Sequence, residues 1–271
     1  MNIQLSDHFN YKKLFLFTLP SVVMMVFTSV YCVVDGFFVS NFAGKTAFAA
    51  INLIMPFIMI LGGIGFMIGT GGSALVSYTL GTGDKEKANR YFSMMVYFTI
   101  LAGILLTVLG IIFVRPIAEL FGADESMMDT CVLYGRIVIA FNAAFMLQNL
   151  FQSFFVVAEK PRLGLIVTIA AGVTNMVLDA LFVGVFKWGI VGAALATGIS
   201  QSIGGLLPLL YFALPNNSPL QLTRTGFELA PLLKASSNGC SELMSNVASS
   251  LIGIVYNYQL MRLGGENAVA T

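Results

Sequence analysis

Long apolar runs separated by short polar breaks dominate this chain. Seven runs stand out: residues 14–39, 48–80, 91–114, 128–156, 163–186, 189–214 and 236–261. Each is continuous rather than alternating and long enough for a bilayer-crossing helix, so the pattern predicts a chain of membrane-spanning helices and no sheet. The breaks carry turn chemistry: Gly81-Thr82-Gly83-Asp84, Glu159-Lys160-Pro161-Arg162 and Pro215-Asn216-Asn217-Ser218-Pro219. Asp84 is placed to cap the helix that follows it. The first run far exceeds a signal-peptide core and lacks a small-residue cleavage site, so it reads as a retained span.

Residues 219–234 differ in character. Leu220, Leu222, Phe227, Leu229, Leu232 and Leu233 mix with Arg224, Glu228 and Lys234, the composition of a linker lying partly in the membrane interface. The expected organisation is therefore a six-helix lobe over residues 1–218, a cytoplasmic linker over 219–235, and a further helix from 236. A weak internal repeat supports that division. The stretch 42–50 lines up with 263–271, and at the same offset Lys13 meets Lys234, Val26 meets Val247, Ser29 meets Ser250 and Val34 meets Val255. A second copy of the first helix would then begin near Lys234, as in transporters built from repeats. Asp35 falls opposite Tyr256, so the copy would not repeat its acid.

Lysines and arginines near helix ends set the orientation. Lys12, Lys13, Lys85, Lys87, Arg90, Lys160, Arg162, Arg224 and Lys234 fall on one side, against Lys45, Arg115, Lys187 and Arg262 on the other. That excess places the N-terminus in the cytoplasm of a multi-pass cell-membrane protein. Composition agrees: of 271 residues, 57% are hydrophobic and 10% charged, against about 25% charged in soluble domains. A net charge of +1 offers no basic face for nucleic acid. Cys32, Cys131 and Cys240 are isolated and read as small apolar packing residues. His8, the only histidine, sits in a polar leader, which argues against a zinc cluster. No ATP-binding P-loop motif is present, and Gly81-Thr82-Gly83 resembles a phosphate loop only superficially.

Against this apolar background, two acids inside the runs carry the chemistry. A carboxylate deep in a bilayer costs roughly 2.5–3.5 kcal/mol on insertion scales, so Asp35 and Asp179 call for a function. Helical rise puts Asp35 roughly 31 Å from the start of the first run and Asp179 roughly 24 Å from the start of the fifth, both in the outer half. Thr197 lies about 12 Å into the sixth run from its outer end, and Tyr134 is near the outer end of the fourth. Asn175, four residues before Asp179, shares its helix face. These oxygen-bearing side chains fall at one depth. Two carboxylates in a low-dielectric cavity repel, and a proton or a sodium ion between them relieves the repulsion. Carboxylate, amide and hydroxyl oxygens suit such a hard cation. The alternative is that the acids merely cross-link helices.

Secondary candidates surround this set. Asn142, Gln148, Asn149 and Gln152 give the fourth run a polar face, either cavity wall or helix contact. Glu242, near the start of the seventh run, either joins the cavity or snorkels to the interface, and Arg136 either pairs with an acid or reaches the outer interface. Met24, Met25, Met55, Met59 and Met67 suit a soft pocket or ordinary packing. The second run is rich in glycine, with Gly65-x-x-x-Gly69 permitting close helix approach. Pro20 removes a backbone hydrogen bond and makes a hinge candidate below Asp35.

In combination, several motifs resemble the multidrug and toxic compound extrusion (MATE) family across nearly the whole chain, in the style of its bacterial drug-efflux branch. They are Asp35-Gly36 followed by Gly44 and Ala47-Phe48-Ala49-Ala50, then Gly71-Gly72-Ser73-Ala74-Leu75-Val76-Ser77, Leu80-Gly81-Thr82-Gly83-Asp84, and Asn175-Met176-Val177-Leu178-Asp179-Ala180-Leu181-Phe182. The resemblance implies half of a twelve-helix transporter: an all-α polytopic membrane protein with a six-helix lobe, a linker and one further transmembrane helix. It implies alternating access and a cation site made by Asp35, Asn175, Asp179 and Thr197, with Tyr134 nearby. Ala180 stands where the family often has proline, which bears on local bending but not on the ligand set. The expected function is a secondary antiporter, not an enzyme, exporting amphipathic or cationic drugs in exchange for sodium ions or protons. Such xenobiotic efflux would confer antibiotic resistance. It needs no cofactor beyond the coupling ion, and its expected partners are the bilayer, its small-molecule substrates and a C-terminal lobe. Competing readings are a lipid-linked precursor flippase of the same superfamily and a non-transporting membrane scaffold.

Overall fold

The computed structural model describes residues 10–269; His8, Ala270 and Thr271 fall outside them. The described chain forms eight α-helices: α1 Tyr11–Phe38, α2 Lys45–Gly81, α3 Lys85–Leu120, α4 Glu125–Ala140, α5 Asn142–Val157, α6 Pro161–Asp179, α7 Gly189–Ala213 and α8 Leu229–Val269. Short π-helical turns, Val39–Ala43 and Ala180–Val185, extend α1 and α6. Local chemistry explains several starts. Asp84 Oδ1 accepts from the Lys87 amide at 3.0 Å, Asp124 Oδ1 from the Met127 amide at 3.1 Å, and Asn10 Oδ1 from the Lys13 amide at 2.8 Å. Pro161 opens α6 at a position where its missing N–H costs nothing.

Among the described residues, five helices are long and apolar enough to cross a membrane, six if the bent α4–α5 pair is one span. That pair corrects the fourth apolar run, expected as a single helix. It breaks at Phe141, with α4 and α5 bent by 54°. No proline or glycine sits at the break. The Phe141 ring instead fills the hollow over Gly198 of α7, where an added Cβ would collide with it. The seventh run forms α8 but is more polar than the six spans and is not among those five or six helices. It also begins at Leu229, ahead of the expected Ser236, because Leu232 and Ala235 are buried against the core. Only residues before Leu229 remain extended as linker, and they are pinned along α3. Asn89 Oδ1 accepts from the Gln221 amide at 3.0 Å, Ser93 Oγ from the Thr223 amide at 2.8 Å, and the Tyr97 hydroxyl donates to the Thr223 carbonyl at 3.3 Å.

Without a hydrophobic drive between spans, close approach of backbones does much of the packing. Gly65 of α2 lies against the Met146 backbone of α5, and Gly205 of α7 lies against the Ala144 carbonyl. Two buried cores result. One, around Leu53, Ile54, Ile58, Tyr134 and Ile139, sits at the end of the bundle where α1 and α6 finish. The other, at the opposite end, is aromatic, with the Phe212 ring 5.1 Å from Phe92 and 5.6 Å from Phe151. The first α-helix is mostly exposed and packs chiefly on α6.

Candidate functional site

The site lies where α1, α4, α6 and α7 converge, at the end of the bundle that holds the first core. Small residues let α1 and α6 meet: Gly172 of α6 faces the Phe27 and Tyr31 rings of α1, where a Cβ would stand 2.6 and 2.8 Å from them. Further along that contact, the Asp35 and Asp179 carboxyls face each other closely enough for each to feel the other's charge. Asp179 is fully buried, whereas Asp35 is half-buried. Neither ionised carboxylate has a donor to give. Both Asp179 oxygens and Asp35 Oδ1 accordingly lack a partner within the protein.

From the other side, Tyr134 of α4 faces both acids, and its hydroxyl lies near the Thr197 side chain of α7. Asn175 sits one turn before Asp179, 2% exposed, with its Oδ1 unpartnered. Four of the expected residues thus converge: Asp35, Asp179, Tyr134 and Thr197, with Asn175 on the adjoining turn. The chain of oxygens is two carboxylates, one amide and two hydroxyls, a hard-cation or proton set. Among the described residues, no three His, Cys, Asp or Glu side chains cluster as a metal site of the usual kind.

The remaining candidates lie elsewhere. Asn142 is buried beside the α4–α5 break, its amide nitrogen 3.5 Å from Met146 Sδ and its Oδ1 unpartnered. Gln148 packs against Gly204 of α7 with its Oε1 unpartnered, and Asn149 is buried toward α2. Gln152 is half-buried on the same helix. Glu242 is half-buried on α8 next to Leu243, which packs on Gly63, and it is not among the groups facing the acids. Arg136 is exposed. Of the methionines, Met24 is buried, Met25 is exposed, and Met55, Met59 and Met67 are half-buried, with Met55 and Met67 packed on the two cores. Pro20 is buried within α1, which continues through it as one helix.

Sequence reasoning missed two neighbours of the acids. Tyr31 and Cys32 of α1 both lie close enough to Asp35 to feel its charge. Their spacing of four and three residues from Asp35 was the available signal. It also missed the π-helical turns. One begins directly after Asp179 and the other a turn after Asp35, and the two touch each other. Each accommodates an extra residue and widens its helix beside the site, a feature common near functional residues. Ala180, where proline was the family's usual residue, opens the second of these turns.

A bundle of apolar helices that buries a facing carboxylate pair is an integral membrane protein of the polytopic helical class. The profile of the MatE family matches residues 20–181, and the chain belongs to that family, the MATE transporters. The multidrug export protein MepA of Staphylococcus saprophyticus is 24% identical over 257 residues, covering 94% of this chain and 56% of its own. MepA of Staphylococcus aureus is 24% identical over 259 residues, with the same coverage. An inward-facing multidrug resistance MATE transporter of the MOP superfamily superposes with a TM-score of 0.84 at 22% identity, covering 89% of this chain and 55% of that one. An outward-facing structure of such a transporter gives 0.84 at 22%, covering 96% and 58%. The chain spans about half the length of the relatives it matches.

Proposed function

We propose that this chain is the first half of a secondary active antiporter that exports amphipathic, often cationic compounds in exchange for sodium ions or protons. The observation that carries the reading is the facing Asp35–Asp179 pair, three of whose four oxygens find no donor in the protein. Two buried charges of one sign are costly unless something positive sits between them. One proton or one sodium ion meets that need, and Asn175, Thr197 and Tyr134 supply further oxygens. A cationic substrate entering the same cavity competes with the ion, and that competition couples their movements. Relatives named as multidrug export proteins support the substrate class. An acid-walled cavity repels phosphate, which weighs against a lipid-linked precursor as cargo.

In this reading residues 1–218 form the first lobe with a cytoplasmic N-terminus, and α8 begins a second lobe that completes the transporter. Alternating access exposes the acids to each side of the membrane in turn. The test is dye or drug efflux by the full-length transporter carrying Asp35→Asn or Asp179→Asn. Each substitution lowers ion-driven efflux roughly tenfold or more at normal expression. Unchanged efflux in both variants would refute the site.

A further inference from the structure

The two ends of the α2–α8 seam are built differently. Near the start of α8 the backbones interlock: a Cβ on Gly71 would collide with the Ala235 carbonyl, and one on Gly239 with the Met67 carbonyl. Toward the acid-bearing end the contact is chemical. Asn257 of α8 donates its side-chain amide to the main-chain carbonyl of Asn52 in α2 at 2.8 Å. That carbonyl is the one whose helical donor would be the amide four residues on. Residue 56 is proline and has no N–H to give. Gly253, one turn before Asn257, faces the Pro56 ring. The Tyr258 ring lies on Gly122 in the α3–α4 turn, and Ile254, Leu260 and Met261 pack on the core at that end.

We propose that Asn257 is a latch. Its bond to the proline-freed Asn52 carbonyl holds the acid-bearing end of the α2–α8 seam closed, and opening of that end breaks it. The logic is one of solvation. Within this half-buried seam, a partial separation takes the carbonyl and the amide from each other before water can replace either partner. Once water enters the cleft, both groups are hydrated and the bond is exchanged at little cost. Such a contact resists partial opening and yields to full opening. The proposal rests on the antiporter reading in one respect: that α8 belongs to the lobe that moves against α2.

Hydrogen–deuterium exchange on the full-length transporter in lipid nanodiscs tests it. Asn257→Leu is expected to raise exchange about fivefold in residues 48–60 of α2 and 250–262 of α8. Exchange around Gly71 and Gly239 stays unchanged. In a Pro56→Ala background the Asn52 carbonyl regains its helical donor, and the same substitution then raises exchange by less than about twofold. If Asn257→Leu alone does not yield folded protein, recovery in the double variant reports the same dependence. Equal increases in both backgrounds, no increase, or no recovery overturns the latch. Exchange is read without substrate or ion gradient. A transporter that exports nothing would therefore defeat the antiporter reading and leave this result standing, and unchanged exchange would do the reverse.

Discussion

Replacing Gly172 by alanine tests how the acids are brought together. A Cβ there falls 2.6 Å from Phe27 Cε1 and 2.8 Å from Tyr31 Cδ1, when ordinary contacts begin near 3.4 Å. Both rings belong to α1, so turning one of them does not relieve the clash. The simpler relief is for α1 to back away from α6 by about 0.6–0.8 Å. Asp35 lies one turn beyond Tyr31, and Asp179 two turns beyond Gly172, so much of that displacement reaches the carboxyl pair. The interaction between two facing carboxyls, and the fit of an ion between them, both change with a shift of that size. Overpacking of this kind costs about 1–3 kcal/mol. If about 1.4 kcal/mol of that falls on the bound state, apparent affinity for the coupling ion drops about tenfold. The assay is efflux by the reconstituted full-length transporter against sodium concentration and pH, with thermal stability measured in parallel. Gly164→Ala is the control: its Cβ meets Phe155 of α5 at 2.9 Å, on a different helix and far from the acids. It should lower stability comparably and leave the ion dependence alone. Equal shifts in both variants, or none at Gly172, would refute the reasoning.

Two further outcomes are expected. Tyr134→Phe removes a buried hydroxyl that faces both acids, and is expected to weaken apparent affinity for the coupling ion about 3- to 10-fold while changing thermal stability by less than about 1 kcal/mol. In the linker, Ser93→Ala and Asn89→Ala each speed tryptic cleavage at Arg224 about fivefold by freeing backbone bonds to Thr223 and Gln221, whereas Arg90→Ala, which removes a half-exposed ion pair to Glu228 at 2.8 Å, changes it less than about twofold.

The helices were legible because an unbroken apolar run has few other ways to satisfy its backbone in a membrane. A shared level along the helices was legible too, since helical rise puts Asp35, Asp179 and Thr197 near Tyr134, and the structure brings them together. Facing was not, because rotation about each helix axis depends on partners distant in sequence. The break at Phe141 shows the same limit: its ring seats against Gly198 of α7, and nothing at residues 140–142 announces it. The early start of α8 was hidden because the Leu229–Lys234 segment carries the same leucine–charge mixture whether it lies in an interface or packs as a helix. Asn257 could not be recognised from its own surroundings. Its role exists only because Pro56, far away in the chain, leaves a carbonyl without its helical donor.

The two acids are unequal in a way that bears on how an ion would be coupled to movement. Asp179 is fully buried on a helix held by α1 on one side and α7 on the other, while Asp35 is half-buried on a helix whose packing within this chain is chiefly on α6. A change of charge between them exerts equal and opposite forces on the two carboxylates. The displacement, however, goes to the element with the softer restraint, and that is α1. Just beyond the acids, the turn that ends α1 packs on α2 and α7 as well as on the turn that ends α6, so the give in α1 lies on the near side of Asp35. Before Asp35, α1 is held chiefly by α6 around Gly172. In the proposed mechanism, loss of the ion therefore acts on the α1–α6 contact first, and the rearrangement reaches α4 and α7 through Tyr134 and Thr197.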